Sequence, residues 1–98
     1  MILFLAGTSD ARELAINLQE KGYSILATVV TESAANSLKE AGLSHHVGRL
    51  SENEMLEIMK QHQVTTVVDA SHPYAEEASK TAMAAATNFN VPYIRYER

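Results

Sequence analysis

The sequence of 98 residues predicts a single three-layer α/β domain built on a parallel sheet. Three observations carry that expectation. Apolar runs without alternation recur along the chain, Ile2-Leu3-Phe4-Leu5-Ala6 being the clearest, and such runs form strands buried on both faces. Amphipathic stretches of helical period stand between them. The connections are short, with no linker, repeat or low-complexity segment. The order is therefore βαβαβαβαβ. Right-handed crossovers then give a five-stranded parallel sheet in the order 3-2-1-4-5, a Rossmann-like doubly wound arrangement.

Each element follows from local chemistry. Strand one is Ile2 to Ala6. Helix one runs from about Asp10 to Lys21, with Ala11, Leu14, Ala15 and Leu18 on one face. Asp10 with Glu13 has capping-box spacing, and Ser9 is a second N-cap candidate. Gly22 stands where a left-handed cap ends a helix. Strand two is Ser24 to Val30. A short helix follows from about Ala34 to Glu40 and stops before Gly42. Strand three is brief, around His46 to Gly48. Ser51-Glu52-Asn53-Glu54 is a capping box that opens helix three, which runs to about His62 and buries Met55, Leu56 and Met59. Strand four is Thr65 to Asp69. Pro73 suits the first position of helix four, which runs to about Phe89 on a face of alanines. Strand five is Val91 to Arg95.

Composition narrows the function classes. A domain of this size buries roughly 60–70% of its unfolded surface, and the apolar fraction of 46% is enough for a core. There is no cysteine, which removes disulfides, thiolate metal sites and cysteine nucleophiles and fits a cytoplasmic protein. No apolar run approaches the roughly 18 residues of a membrane span. The N-terminal run lacks the basic region of a signal peptide. A net charge of −4 argues against a nucleic-acid surface. The lysines fall inside or at the ends of helices. Arg12, Arg49, Arg95 and Arg98 all fall just after predicted strands. Those positions share the carboxyl edge of a parallel sheet, where ligands bind, and a guanidinium grips phosphate or carboxylate there.

Two loops meet at the point where the winding reverses, between strands one and four. In the first, Gly7 allows a sharp turn, and the helix behind it presents N–H groups and a positive dipole end, a ready phosphate site. The G-x-G-x-x-G fingerprint is absent, because Ser9 and Arg12 stand where it needs glycine. Phosphates would be held by the Thr8 and Ser9 hydroxyls, backbone N–H groups and Arg12. Strand two ends at Val30-Thr31-Glu32, on the side where ribose hydroxyls bind, and Thr31 and Glu32 are candidates there. Gly48 allows close approach beside Arg49, which could take a ribose 2′-phosphate. In the second loop, Asp69 caps the turn and His72 stands before a helix whose dipole favours a neutral imidazole. His72 could hydrogen-bond a cofactor amide or a substrate carboxylate. Tyr74 reads as a lid or as packing. His45 and His46 point opposite ways on an extended chain, so no metal site is expected. No nucleophile elbow is present.

At Gly7-Thr8-Ser9-Asp10-Ala11-Arg12-Glu13-Leu14, Gly48-Arg49-Leu50, Asp69-Ala70-Ser71-His72-Pro73-Tyr74-Ala75 and Arg95-Tyr96-Glu97-Arg98, the chain resembles the N-terminal half of the precorrin-6A reductase family of cobalamin biosynthesis. The resemblance runs in order over nearly the whole chain. It departs at Ala6, where the family pattern usually has glycine, and at Ser71, where it has threonine. It implies a two-domain cytoplasmic enzyme that reduces precorrin-6A, or its cobalt form, to precorrin-6B with NADPH, or NADH in some members. Residues 1–98 would be the dinucleotide-binding domain, and a C-terminal domain would complete the cleft for the corrinoid substrate. On that basis Gly7, Thr8, Ser9 and Arg12 form the cofactor loop. Gly48 and Arg49 lie on the adenosine side. Ser71, His72, Pro73 and Tyr74 lie on the nicotinamide and substrate side, His72 being the one catalytic candidate in this half. Arg95 and Arg98 would face the substrate near the domain junction. Little turnover is expected from this domain by itself.

Two other readings stand beside this one. The first is a stand-alone, non-catalytic nucleotide-binding module. The second is another enzyme on the same fold. An epimerase would need a Tyr-x-x-x-Lys pair, but Ala78 stands at that distance from Tyr74. No oligomeric state follows from the sequence.

Overall fold

The apolar run Ile2–Ala6 forms the central strand, β1, and its alternate side chains feed two separate cores. The computed structural model describes residues 1–96; Glu97 and Arg98 lie outside the described residues. After β1 come α1 (Ser9–Glu20), β2 (Ile25–Val29), α2 (Glu32–Glu40), β3 (Ser44–Val47), α3 (Glu52–Gln61), β4 (Thr66–Ala70), α4 (Glu76–Phe89) and β5 (Tyr93–Arg95). All four strand pairings are parallel, in the order β3-β2-β1-β4-β5 that the sequence predicts.

Phe4 and Ala6 face the first core, with Ala11 and Ala15 of α1 and Ala35 and Leu38 of α2. Leu3 and Leu5 face the second, with Met55 and Met59 of α3 and Ala82, Ala85 and Ala86 of α4. Helices therefore cover both faces of the sheet, as an unbroken apolar strand requires. Burying Phe4 completely contributes roughly 1.5–3 kcal/mol. The alanines of α4 let that helix lie close on β4 and β5.

The helix starts differ from expectation in three places, each for a local reason. Thr8, rather than Ser9 or Asp10, caps α1: its extended backbone lets the hydroxyl accept from the Ala11 N–H at 3.2 Å. Asp10 sits instead in the first turn. Thr31 caps α2 in the same way, accepting from the Ala34 N–H at 3.1 Å, so that helix begins at Glu32 and not near Ala34. Helix α4 begins at Glu76, three residues after Pro73. Residues His72 to Ala75 close a β-turn first, the Ala75 N–H donating to the His72 carbonyl at 2.9 Å. Pro73 takes the second position of that turn, where its fixed φ is favoured, and not the first position of a helix. The capping box of α3 is present as predicted, with the Ser51 N–H on Glu54 at 3.0 Å and the Glu54 N–H on Ser51 at 3.2 Å.

Gly7 serves a different purpose from the sharp turn expected of it. Its backbone is not in the left-handed region. A Cβ on Gly7 would lie 2.8 Å from the His72 nitrogen and 3.0 Å from the Ser71 Cα, both backbone atoms. The glycine is what lets the β1–α1 loop touch the β4–α4 loop. Gly7→Ala must push the two loops apart, and we expect a loss of about 1–3 kcal/mol of stability. Urea denaturation checks it: a lower midpoint at unchanged slope is the expected result.

Candidate functional site

The carboxyl ends of β1, β2 and β4 open onto one cavity of about 510 Å³, within the range of small-molecule sites. Its floor is apolar, formed by Leu5, Ala6 and Val29. Gly48 and Arg49 enter from the β3–α3 connection. Ser71, His72 and Tyr74 enter from the β4–α4 loop, and Glu76 and Glu77 from the first turn of α4. The cavity is electrically divided, with a guanidinium from one side and two carboxylates from the other. Gly48 has φ of +115°, a conformation that other residues rarely adopt, and nothing lies within 4 Å of where its Cβ would be.

The loop bearing His72 is anchored by Asp69, whose side chain is completely buried. Asp69 pairs with Leu5 on one side and Arg95 on the other in the sheet register. Its Oδ1 accepts from the Ser71 N–H at 3.0 Å, the Ser71 hydroxyl at 2.6 Å and Arg95 Nη1 at 3.0 Å. Its Oδ2 accepts from the Tyr93 hydroxyl. The Ser71 hydroxyl also accepts from Arg95 Nη1 at 3.1 Å and meets Ser79 of α4 at 3.3 Å. Strand alternation explains the convergence, because Tyr93 and Arg95 lie two apart on β5 and share one face. Burial by itself would push the Asp69 carboxyl up. The hydroxyls of Ser71, Ser79 and Tyr93 and the Ser71 N–H outweigh it, and hold the carboxyl below the ordinary aspartate range. The Tyr93 phenol is pushed up to about 12, first by burial and then by its hydrogen bond to Asp69 and that carboxylate's charge.

Residues 1–98 match the family described as "Precorrin-6x reductase CbiJ/CobK". The chain belongs to that family. It is 53% identical to the cobalt-precorrin-6A reductase of Priestia megaterium over 98 residues, which are 100% of this chain and 38% of that protein. It is 37% identical to the cobalt-precorrin-6A reductase of a Synechocystis species, covering 99% of this chain and 38% of the relative. A solved structure titled "CobK precorrin-6A reductase" superposes with a TM-score of 0.82 at 26% identity, over 99% of this chain and 37% of the other. The chain thus spans well under half the length of the relatives it matches. The family resemblance read from the four motifs is confirmed.

The structure sorts the candidate residues into two groups. Gly7, Gly48, Arg49, Ser71, His72 and Tyr74 line the cavity together. Thr8, Ser9, Arg12, Thr31, Pro73 and Arg95 do not. The Thr8 and Thr31 hydroxyls are taken by helix capping. Glu32 pairs with Lys39 at 3.1 Å on the surface. Arg12 is the fourth residue of α1 and not a residue at the strand end. Arg95 spends a nitrogen on Asp69 and Ser71. Arg98 lies outside the described residues. Of the described arginines expected along one ligand edge, Arg49 alone lines the cavity.

Asp69 caps its loop as expected, through the Ser71 N–H, but sequence reading missed its wider part as the anchor of β5 and the parts of Tyr93 and Ser79. A signal was available: an acid and an arginine each at the carboxyl end of a predicted strand, with a tyrosine two residues before the arginine. Among the described residues no helix is long and apolar enough to cross a membrane, and no group of three or more His, Asp or Glu side chains is placed to hold a metal ion.

Two outcomes follow from the Asp69 cluster. Asp69→Asn removes the buried carboxylate that pairs with Arg95 and sets an amide against Ser71, and a loss of about 3 kcal/mol is expected by urea denaturation. Tyr93 is favoured in its neutral form by the fold. Its stabilisation is therefore complete below its ordinary value near 10 and is lost as pH rises from there through about 12. Tyrosinate absorbance should show a late-titrating phenol that Tyr93→Phe removes, and that variant's stability should fall less over the same alkaline window.

Proposed function

We propose that this domain supplies the dinucleotide-binding half of an NAD(P)H-dependent precorrin-6A reductase. In this reading the whole enzyme reduces precorrin-6A, or its cobalt form, to precorrin-6B in cobalamin biosynthesis. The observation that carries it is the convergence, in a chain of this family, of the β1–α1, β3–α3 and β4–α4 loops on one cavity at the reversal of winding.

The residues present fit a dinucleotide. The floor is apolar, and Gly48 leaves open space beside Arg49. The start of α1 lies next to Gly7, so its dipole can face a phosphate. Because the Thr8 hydroxyl already caps that helix, the backbone there does the holding rather than the hydroxyl. Arg49 holds the 2′-phosphate of the adenosine ribose, as a bidentate guanidinium suits. Glu76 and Glu77 repel phosphate from the other end, so the pyrophosphate stays on the β1–β2 side and the nicotinamide end turns toward the β4–α4 loop. A bound nicotinamide cofactor would supply the two-electron reduction of one corrin-ring double bond. The chain's part is to bind it, orient it and present one face to a substrate seated against a second domain.

Calorimetric titration with NADPH and NADH side by side tests this reading. NADPH should bind more tightly, and Arg49→Ala should weaken it about tenfold, the scale of one lost charge-assisted contact, while leaving NADH nearly unchanged. The unchanged 98-residue chain should bind cofactor and show little or no turnover. Binding of neither dinucleotide would overturn the cofactor assignment. Substantial reductase activity from this chain would overturn the need for a second domain.

A further inference from the structure

His72 stands on the turn from His72 to Ala75, whose ends are fixed. The preceding residue, Ser71, is buried and held to Asp69 by both its N–H and its hydroxyl. The turn itself is closed by the Ala75 N–H on the His72 carbonyl. Within it the Tyr74 backbone N–H donates to His72 Nδ1 at 3.1 Å. The Tyr74 ring lies 5.0 Å from the imidazole, centroid to centroid. A backbone amide can only donate, so the Nδ1 that faces it must be the unprotonated nitrogen. The single proton of the neutral ring is then on Nε2. The ring lines the cavity, while its Nδ1 is occupied within the loop.

We infer that His72 is a fixed hydrogen-bond donor, presenting Nε2–H to an sp² oxygen of the bound ligand, and is not a general acid or base. Accepting a proton at Nε2 requires a lone pair that this tautomer lacks. Protonating Nδ1 would break the Tyr74 contact and set two donors against each other. A neutral Nε2–H polarises a carbonyl or carboxylate oxygen without giving up its proton. Two oxygens of that chemistry can reach the β4–α4 side: the carboxamide of a nicotinamide, or a carboxylate of a tetrapyrrole acid. The second half of this inference rests on the dinucleotide reading above; the tautomer does not.

Long-range proton–nitrogen NMR on the nitrogen-15-labelled chain, with the ring neutral, tests the tautomer directly. The expected result is a pyrrole-type Nε2 and a pyridine-type Nδ1. The opposite pattern, or rapid exchange between the two, would overturn the inference whether or not NADPH binds. The donor role is tested with His72→Ala and His72→Gln, at an exposed position where folding should be unaffected. Glutamine places an amide N–H near the position of Nε2. The probes are NADPH, the 2′-phosphate of ADP-ribose, which lacks the nicotinamide, and uroporphyrin, a tetrapyrrole octacarboxylate. His72→Ala should weaken NADPH or uroporphyrin about tenfold, His72→Gln should recover most of the loss, and the ADP-ribose phosphate should be indifferent to both. Loss on NADPH identifies the carboxamide, and loss on uroporphyrin the carboxylate. Equal losses in both variants, no loss in either, or a matching loss on the ADP-ribose phosphate would overturn the donor role. Failure of the wild-type chain to bind NADPH, with the expected tautomer in place, would instead count against the dinucleotide reading.

Discussion

A carboxylate taken completely out of water is tolerated only if its lone pairs are all engaged and its charge is balanced. Asp69 meets that condition with donors from three parts of the chain. Ser71 comes from its own loop, and Tyr93 and Arg95 from β5; Ser79 of α4 joins through Ser71. The result ties the short edge strand β5, the β4–α4 loop and helix α4 to the end of β4. A three-residue edge strand has little ladder of its own, so these side-chain bonds fix its place. They also set where the cavity wall begins, because His72 follows Ser71 directly.

The opposite wall depends on close approach. Gly7 brings the β1–α1 loop against the backbone of Ser71 and His72, and any side chain there would separate them. The two walls of the cavity are thus built from the same contacts that hold the sheet's central strands together at their carboxyl ends. Helix capping then decides which polar groups remain for a ligand. Thr8 and Thr31 look like phosphate and ribose contacts in a linear reading, yet a hydroxyl that accepts from a helix N–H is already serving the fold. Above the apolar floor, the cavity lining includes Arg49, His72 and Tyr74, with Glu76 and Glu77 at the far end. That charge division gives the cavity a direction, which suits a ligand with an anionic and an uncharged end.

Much of the fold was legible in the sequence, because burial on two faces writes an unbroken apolar run and burial on one writes a helical stripe. Ile2–Ala6 and the stripe of Met55 and Met59 are of that kind, and the strand order follows from chirality once the elements alternate. The family was legible too, from four motifs whose residues stand in order. The site was legible only in part. Gly7, Gly48, Arg49, Ser71, His72 and Tyr74 meet at the cavity as the strand ends predicted. The purpose of Gly7, the starts of α2 and α4 and the commitments of Arg95 were not visible. The sequence by itself determined the alternation of elements, the two-sided sheet and the edge at which the cavity opens, since these depend on periodicity and handedness, which act over neighbouring residues. Tertiary structure alone decided that Asp69 is the anchor and that Thr8 caps α1 where Ser9 or Asp10 was expected. It also decided that Pro73 turns the chain before α4 can start. Each of those outcomes is a competition between hydrogen-bond partners distant in sequence or alternative within one turn, and only the three-dimensional distances choose the winner.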